Sequence, residues 1–411
     1  MQAFRLPTTL DTGHKGRSTA YPMTSPQIAP ADRPFDRRSL LRWLISSATL
    51  TVPQAGGPVA FSLVALSLTG DTSGGAAMIL VMTLAQVLGA IPITRFNKSL
   101  PAATILKLLV AIRTVALGSI ALLAVCDAPF LWLVAFAAVA GSVNGAAFGY
   151  LRSLLNQLAP TSQMPRMLGI SATLNELTFV LAPVAASGLS TISPVYAVAA
   201  LAVLGAVPAL LVPRTGSTRI DTARAIERSV LTPSIALWLL CAAAGGATVA
   251  SIEIGAVALA LNFGYEPALA ILFTVPLCLA SVAGGIWTSV RNRMAKRRTV
   301  LAQLSVMALG ASLAALNVSL AVTIVGTILI GSVLAPLATY YSLILDTLAP
   351  SARRPEVFAL LRTSNAVGVI FASAVLTAVS LSMTLIVVTG LMIVVVVTVA
   401  GASLKNRASQ V

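Results

Sequence analysis

Charge is what this sequence has least of. Only 9% of its 411 residues are Asp, Glu, Lys or Arg, against roughly 25% in an ordinary soluble domain. Such a chain cannot clothe a water-facing surface, so lipid is its expected solvent. Acid is the scarcer sign: 12 Asp+Glu stand against 27 Lys+Arg, a formal net charge of +15. In a soluble protein that excess would suggest nucleic acid. Here aromatic residues are only 5% and do not interleave with a basic patch, so no nucleic-acid partner is expected. Histidine occurs once, as His14, which excludes an HExxH zinc site and a histidine proton relay. No Lys follows a Gly, so a GxxxxGK[ST] phosphate loop cannot exist and ATP-driven pumping within this chain is disfavoured. The three cysteines, Cys126, Cys241 and Cys278, form no CxxC; neither a disulfide framework nor a metal knuckle is indicated. No enzyme site, metal or cofactor is expected.

What the chain has instead is long apolar runs, and hydrophobic residues make up 57% of it. A helix needs about 20 residues to cross the hydrocarbon core. By that rule spans fall near 40–69, 75–94, 102–125, 129–158, 166–190, 194–213, 233–262, 267–289, 299–316, 319–346, 356–380 and 382–404. An all-α membrane protein of about twelve transmembrane helices follows, since open sheets leave backbone groups unpaired at that depth. Residues 1–38, rich in Pro, Thr, Ser and Arg, read as a disordered cytoplasmic tail. Arg37-Arg38 ahead of Ser39-Leu40-Leu41 reads as a basic anchor rather than an export signal.

The gaps between spans fix an orientation. With the N-terminus inside, the inner gaps hold Arg95/Lys98, Arg166, Arg214 to Arg228, Arg291 to Arg298, Arg353/Arg354 and Lys405/Arg407. The outer gaps hold no Lys or Arg and carry Asp71, Asp127 and Glu266. This is the positive-inside pattern. It implies a multi-pass protein of the cell (inner) membrane with both termini cytoplasmic.

The chain also repeats itself. A shift of 190 residues lays Gly141-Ser142-Val143 and Tyr150 on Gly331-Ser332-Val333 and Tyr340. It lays Asn156, Pro160, Pro165, Thr173 and Asn175 on Asp346, Pro350, Pro355, Thr363 and Asn365. The expected plan is an N-terminal six-helix half (39–213), a cytoplasmic loop (214–232), a C-terminal six-helix half (233–404) and a short tail (405–411). Parallel halves related about the membrane normal are one transporter architecture.

On these features the sequence resembles the major facilitator superfamily. That family carries a signature between spans two and three: a Gly, an Asp-Arg pair, then a Gly followed by basic residues. Here Gly89, Arg95 and Lys98 match, with Thr94 in the place of the Asp. A second copy ends in Gly284, Gly285 and Arg291. The resemblance implies that Arg95, Lys98 and Arg291 serve inner-face gating. Ala182-Pro183-Val184-Ala185-Ala186-Ser187 is similar to the small-Pro-x-x-small-small motif of the family's exporters. Pro183 is expected to bend span five, as Pro53 bends span one.

Charged groups at mid-bilayer need a reason. Glu176 in span five and Arg113 in span three lie about 15 Å deep by helix rise. Glu253 lies about eight residues inside the outer end of span seven. These three, with Asn144 and Gln54, are the candidates for proton coupling or a substrate cavity. An Arg113–Glu176 ion pair is the structural alternative. Arg152, Arg362 and Asp346 sit near inner ends and call for no functional role. The expectation is a monomeric secondary transporter that exports a small organic, drug-like compound against protons. Nutrient uptake by symport and a non-transporting sensor or scaffold are the alternatives.

Overall fold

The computed structural model describes residues 36–70, 73–96, 100–212 and 231–408. Lys98, most of the 214–232 loop and most of the N-terminal tail lie outside these residues. Among the described residues twelve helices are long and apolar enough to cross a membrane, and no strand occurs. In chain order they are α1 (Arg37–Thr69), α2 (Ser73–Phe96), α3 (Ala102–Val125), α4 (Phe130–Leu158), α5 (Met164–Ser190) and α6 (Pro194–Leu211). The second six are α7 (Pro233–Asn262), α8 (Ile271–Arg291), α9 (Arg297–Leu316), α10 (Leu320–Leu348), α11 (Arg354–Ala378) and α12 (Leu381–Ala408).

Local chemistry sets the ends. Asp36 caps α1: its carboxylate accepts the Arg38 amide at 3.0 Å and the Ser39 hydroxyl. The Ser39 hydroxyl first, then the Arg38 amide, hold that carboxyl below its ordinary range. The cap starts the helix at Arg37, inside the stretch read from composition as tail. Gly70 closes it with a left-handed φ of 74°, a backbone state open to glycine. Thr232 and Ser319 cap α7 and α10 by accepting first-turn amides. Pro165 and Pro355, equivalent in the repeat, stand in the first turns of α5 and α11, where a missing N–H costs nothing. Each follows a single 3₁₀ turn, Thr161–Gln163 and Ser351–Arg353.

The repeat is visible in the packing. A Cβ on Gly141 of α4 would strike the Met82 carbonyl of α2, and one on Gly89 would strike that of Ser142. The same pair of crossings joins α10 to α8: Gly331 meets the Leu277 carbonyl and Gly284 that of Ser332. Small residues at such points let backbones approach closely in lipid. The register is 190 on α4/α10 but 195 on α2/α8, as Met82 falls on Leu277. The sequence match therefore runs without a gap only around spans four–five and ten–eleven.

The two sets of six helices join mainly through α5 with α8 and α10, and α11 with α2 and α4. The named contacts crowd toward one end, where α2, α4, α8 and α10 finish and α5 and α11 begin. We call it the basic end. The apolar cluster of the first six helices there takes in Leu343 from α10. Toward the opposite end, the cluster built on Phe61, Leu117, Leu133 and Val198 draws on the first six helices alone.

Candidate functional site

Three polar groupings occupy the interior, and each is best built outward from its charged member. Arg113 on α3 is 2% exposed. Its Nη1 donates to the Leu50 carbonyl at 2.8 Å and to Asn144 Oδ1 at 3.0 Å, and its Nη2 donates to the Gly205 carbonyl at 2.9 Å. Pro53 lacks the N–H that would bond four residues back and crowds that turn of α1; the Leu50 carbonyl accepts Arg113 there. Gly205 lets α6 close on both Pro53 and the guanidinium. Asn144 passes the network on, donating to Gln86 Oε1 at 2.6 Å and Gln54 Oε1 at 3.2 Å. The guanidinium thus ties α1, α3, α4 and α6 together, and α2 through Asn144. Arg113 makes no ion pair with Glu176. A cleft of about 10 Å³ remains among Pro53, Gln54, Met82, Arg113 and Asn144, room for about one water.

The second grouping is acidic. Glu176 on α5 and Glu253 on α7 come from different sets of six helices, yet they lie within electrostatic reach of one another. Cys278 of α8 lies close to both. The Ser281 hydroxyl faces Glu176 but makes no hydrogen bond of ordinary geometry. Neither acid has a cationic partner among the described residues. Glu253 keeps an exposed side chain although its carboxyl stands deep among the helices, as expected for a group lining a concavity rather than a lipid-facing surface. Glu176 is half-buried. No cluster among the described residues could hold a metal ion.

The third grouping closes the basic end. Arg95 of α2 donates through Nε (2.9 Å) and Nη2 (2.8 Å) to Glu356 Oε1 of α11. Arg353 holds the other oxygen at 2.9 Å. The acid missing beside Arg95 in the sequence is thus supplied from the far helix set. Thr94, in the acid's place, turns its hydroxyl onto the Ala90 carbonyl of its own helix. At the symmetry-related corner the fastening is neutral. Asn292, left-handed at φ 43°, accepts the Arg166 amide at 3.0 Å and donates to the Ser162 carbonyl at 2.9 Å. It satisfies one amide that the start of α5 leaves unpaired. Arg291 instead lies over the Trp287 ring at 5.0 Å. Between the corners, Arg152 donates to the Ser342 hydroxyl at 2.5 Å and Asn156 to Asp346, each pair 190 residues apart.

Of the motif prolines, Pro53 is buried and Pro183 half-buried within a continuous α5. The small residue before Pro183 serves packing: a Cβ on Gly56 of α1 would lie 3.3 Å from the Ala182 carbonyl. Sequence reasoning missed Glu356, Gln86 and Asn292, and dismissed Arg362. That last side chain reaches from α11 to Gln54 of α1 and lies 4.7 Å over the Phe148 ring. A polar residue at a repeat position facing its own copy was the available signal for the Arg152 and Asn156 contacts.

Solved structures share this fold. No curated protein matches the sequence. Among solved structures, a bacterial homologue of the iron transporter ferroportin in an outward-facing state superposes with a TM-score of 0.74 at 14% identity, covering 89% of this chain and 98% of that one. The human organic anion transporter MFSD10 gives 0.67 at 14% identity, over 88% and 98%. The transporter FucP in its outward conformation gives 0.67 at 11% identity, over 90% and 99%. At these identities the likeness is one of fold. The sequence profile of the Major Facilitator Superfamily matches residues 43–373, and the chain belongs to that superfamily of membrane transporters.

Proposed function

We propose that this chain exports a small organic solute against protons by alternating access, with Glu176 and Glu253 carrying the proton. The observation that carries this reading is the acid pair. Two carboxylates from different helix sets lie within electrostatic reach of one another at mid-membrane depth, and neither is paired with a cation among the described residues. Charge at that depth is costly, and a proton relieves the repulsion of the pair. When the two sets rock, the separation of the acids changes, and with it their affinity for a proton. That makes proton binding and access interdependent.

The basic end is assigned to the cytoplasm by the positive-inside rule. Its fastenings then describe a state closed to the cytoplasm, the counterpart of the outward-facing neighbours. The chain works as a monomer in the cell membrane, with both termini inside. The Ala182-Pro183 packing against Gly56 supports the exporter assignment, and few polar groups line the spans, which suits a largely apolar solute.

Proteoliposomes with an imposed pH gradient and a panel of labelled organic solutes provide the test. Solute should move opposite to protons, and Glu176→Gln and Glu253→Gln should each remove the dependence on the gradient. Movement in the direction of the protons would replace export by uptake. Unchanged flux in both variants would end the case for coupling through these acids.

A further inference from the structure

Arg113, Arg152, Arg95 and Arg362 each bond to a side chain or carbonyl of another helix, and the way each is satisfied separates one from the rest. Arg113 has three acceptors from three helices. Arg152 has Ser342 and Asn156, with Phe358 under its guanidinium at 4.5 Å. Arg95 has Glu356. Arg362 has a single acceptor, Gln54 Oε1, taken by Nη2. Its Nε has no partner, its Nη1 makes no hydrogen bond, and no carboxylate pairs with it among the described residues.

A buried guanidinium is normally matched by several acceptors or a counter-charge, and one amide oxygen for five N–H donors leaves a cation poised for an anion. The ring of Phe148 holds the guanidinium by its face, which leaves its edge for a planar oxyanion. The side chain is only half-buried, so it is reachable.

Depth places this group relative to the acids. α5 starts at Met164 and α11 at Arg354, equivalent positions in the repeat. Glu176 lies twelve residues in and Arg362 eight. Arg362 is therefore about 6 Å nearer the basic end at 1.5 Å per residue. It stands below the acid pair, near where the two helix sets join.

We propose that Arg362, with Phe148 beneath it, is the docking group for the carboxylate of the transported solute, making the substrate an amphipathic organic acid. This rests on the transport reading above and adds the substrate class. The apolar body of the solute then extends toward Glu176 and Glu253, which are left free to carry protons. Gln54 and Arg362 belong to different helix sets, so a carboxylate that takes Nη2 from Gln54 also loosens a tie across the closed end. Gln54 is then left to Asn144. Arrival of the solute in this way favours the rearrangement that carries it.

The test uses the purified full chain in lipid nanodiscs and melting followed by tryptophan fluorescence. The probes are benzoate and 3-phenylpropanoate, their neutral amides, and sodium phosphate at matched ionic strength. The carboxylates should raise Tm with concentration and the amides should not, because ligand binding to the folded state alone stabilises it. Arg362→Gln should weaken the carboxylate response by about ten- to a hundredfold, the size of a charged hydrogen bond. Arg362→Lys keeps the charge but not the fork or the stacking, and should weaken it by a smaller factor. That variant keeps the proposal testable if the Gln form does not fold.

Equal shifts with acids and amides, a shift with phosphate alone, no shift with any carboxylate, or an undiminished shift in both variants would each overturn it. Vesicles that pass only neutral or cationic solutes would overturn this assignment and leave transport standing. Carboxylate binding without flux would do the opposite.

Discussion

Replacing Arg95 by Ala isolates one fastening of the closed end. The Arg95 side chain is 55% exposed and that of Glu356 only 5%. An exposed pair contributes about 0.2–1 kcal/mol, and charge-assisted bonds to a buried acceptor about 1.5–3. Solvent screening of Arg95 places the expected loss near the join of these ranges, about 1–1.5 kcal/mol. That is about a tenfold change in the ratio of closed to open forms. Glu356→Ala removes more, because Arg353, 12% exposed, also loses its bonds to that carboxylate. But Arg353 precedes the same helix, so its bond does not depend on how the two helix sets are placed. Glu356→Ala should therefore open the basic end by the same tenfold while costing additional overall stability. The double variant should open it no further.

Spin labels at Thr161 and Ser351 report on this movement. Both are exposed and occupy equivalent turns on either side of the join. With the native cysteines replaced, the long-distance population should rise about tenfold in Arg95→Ala, and by less at high salt. If Arg95→Ala has the same effect with and without Glu356, the ion pair is not what holds the end closed.

Other consequences are more local. Gly141→Ala and Gly331→Ala push a methyl into the Met82 and Leu277 carbonyls, and each should cost about 1–3 kcal/mol by overpacking, read as a lowered Tm; an unchanged Tm in both would refute close approach at these crossings. Arg113→Lys cannot span Leu50, Gly205 and Asn144 with one point charge and should destabilise by about 2–3 kcal/mol; a variant that melts like the parent would show the three acceptors to be dispensable. For Asp36 the folded-state value is depressed, mainly by the Ser39 hydroxyl. Its cap is then present above the unfolded carboxylate value of about 4 and is lost as pH falls below it. Hydrogen exchange at residues 38–40 should accelerate in Asp36→Ala at neutral pH, and parent and variant should converge in acid.

The helices were legible because each physical rule behind them is local. Apolar length marks a span, and prolines such as Pro165 and Pro355 mark its first turn. Glu176 and Glu253 stood out because charge is so rare at their depth. Partners were not legible, because they depend on which faces the packing turns together. Arg113 and Glu176 share a depth but not a direction, and the arginine bonds instead to carbonyls that no side-chain pattern reveals. Arg362 was passed over for the opposite reason: position near a helix end suggests a snorkelling cation, whereas the fold points it inward onto Phe148 and Gln54. Thr94 stands where the family pattern has an acid. The acid in fact comes from Glu356, 261 residues away.

The contacts Arg152–Ser342 and Asn156–Asp346 join residues that are each other's copies. A residue that meets its own copy lies on the twofold axis. In a symmetric pair of identical six-helix chains it would have to face an identical side chain. Two arginines there would repel, and two serines would leave the centre weakly held. Fusion into one chain removes that restriction, since each copy can change alone. One site has become donor against hydroxyl, and the other amide against carboxylate. Departure from perfect repetition is therefore most to be expected on the axis, where sameness carried the greatest penalty.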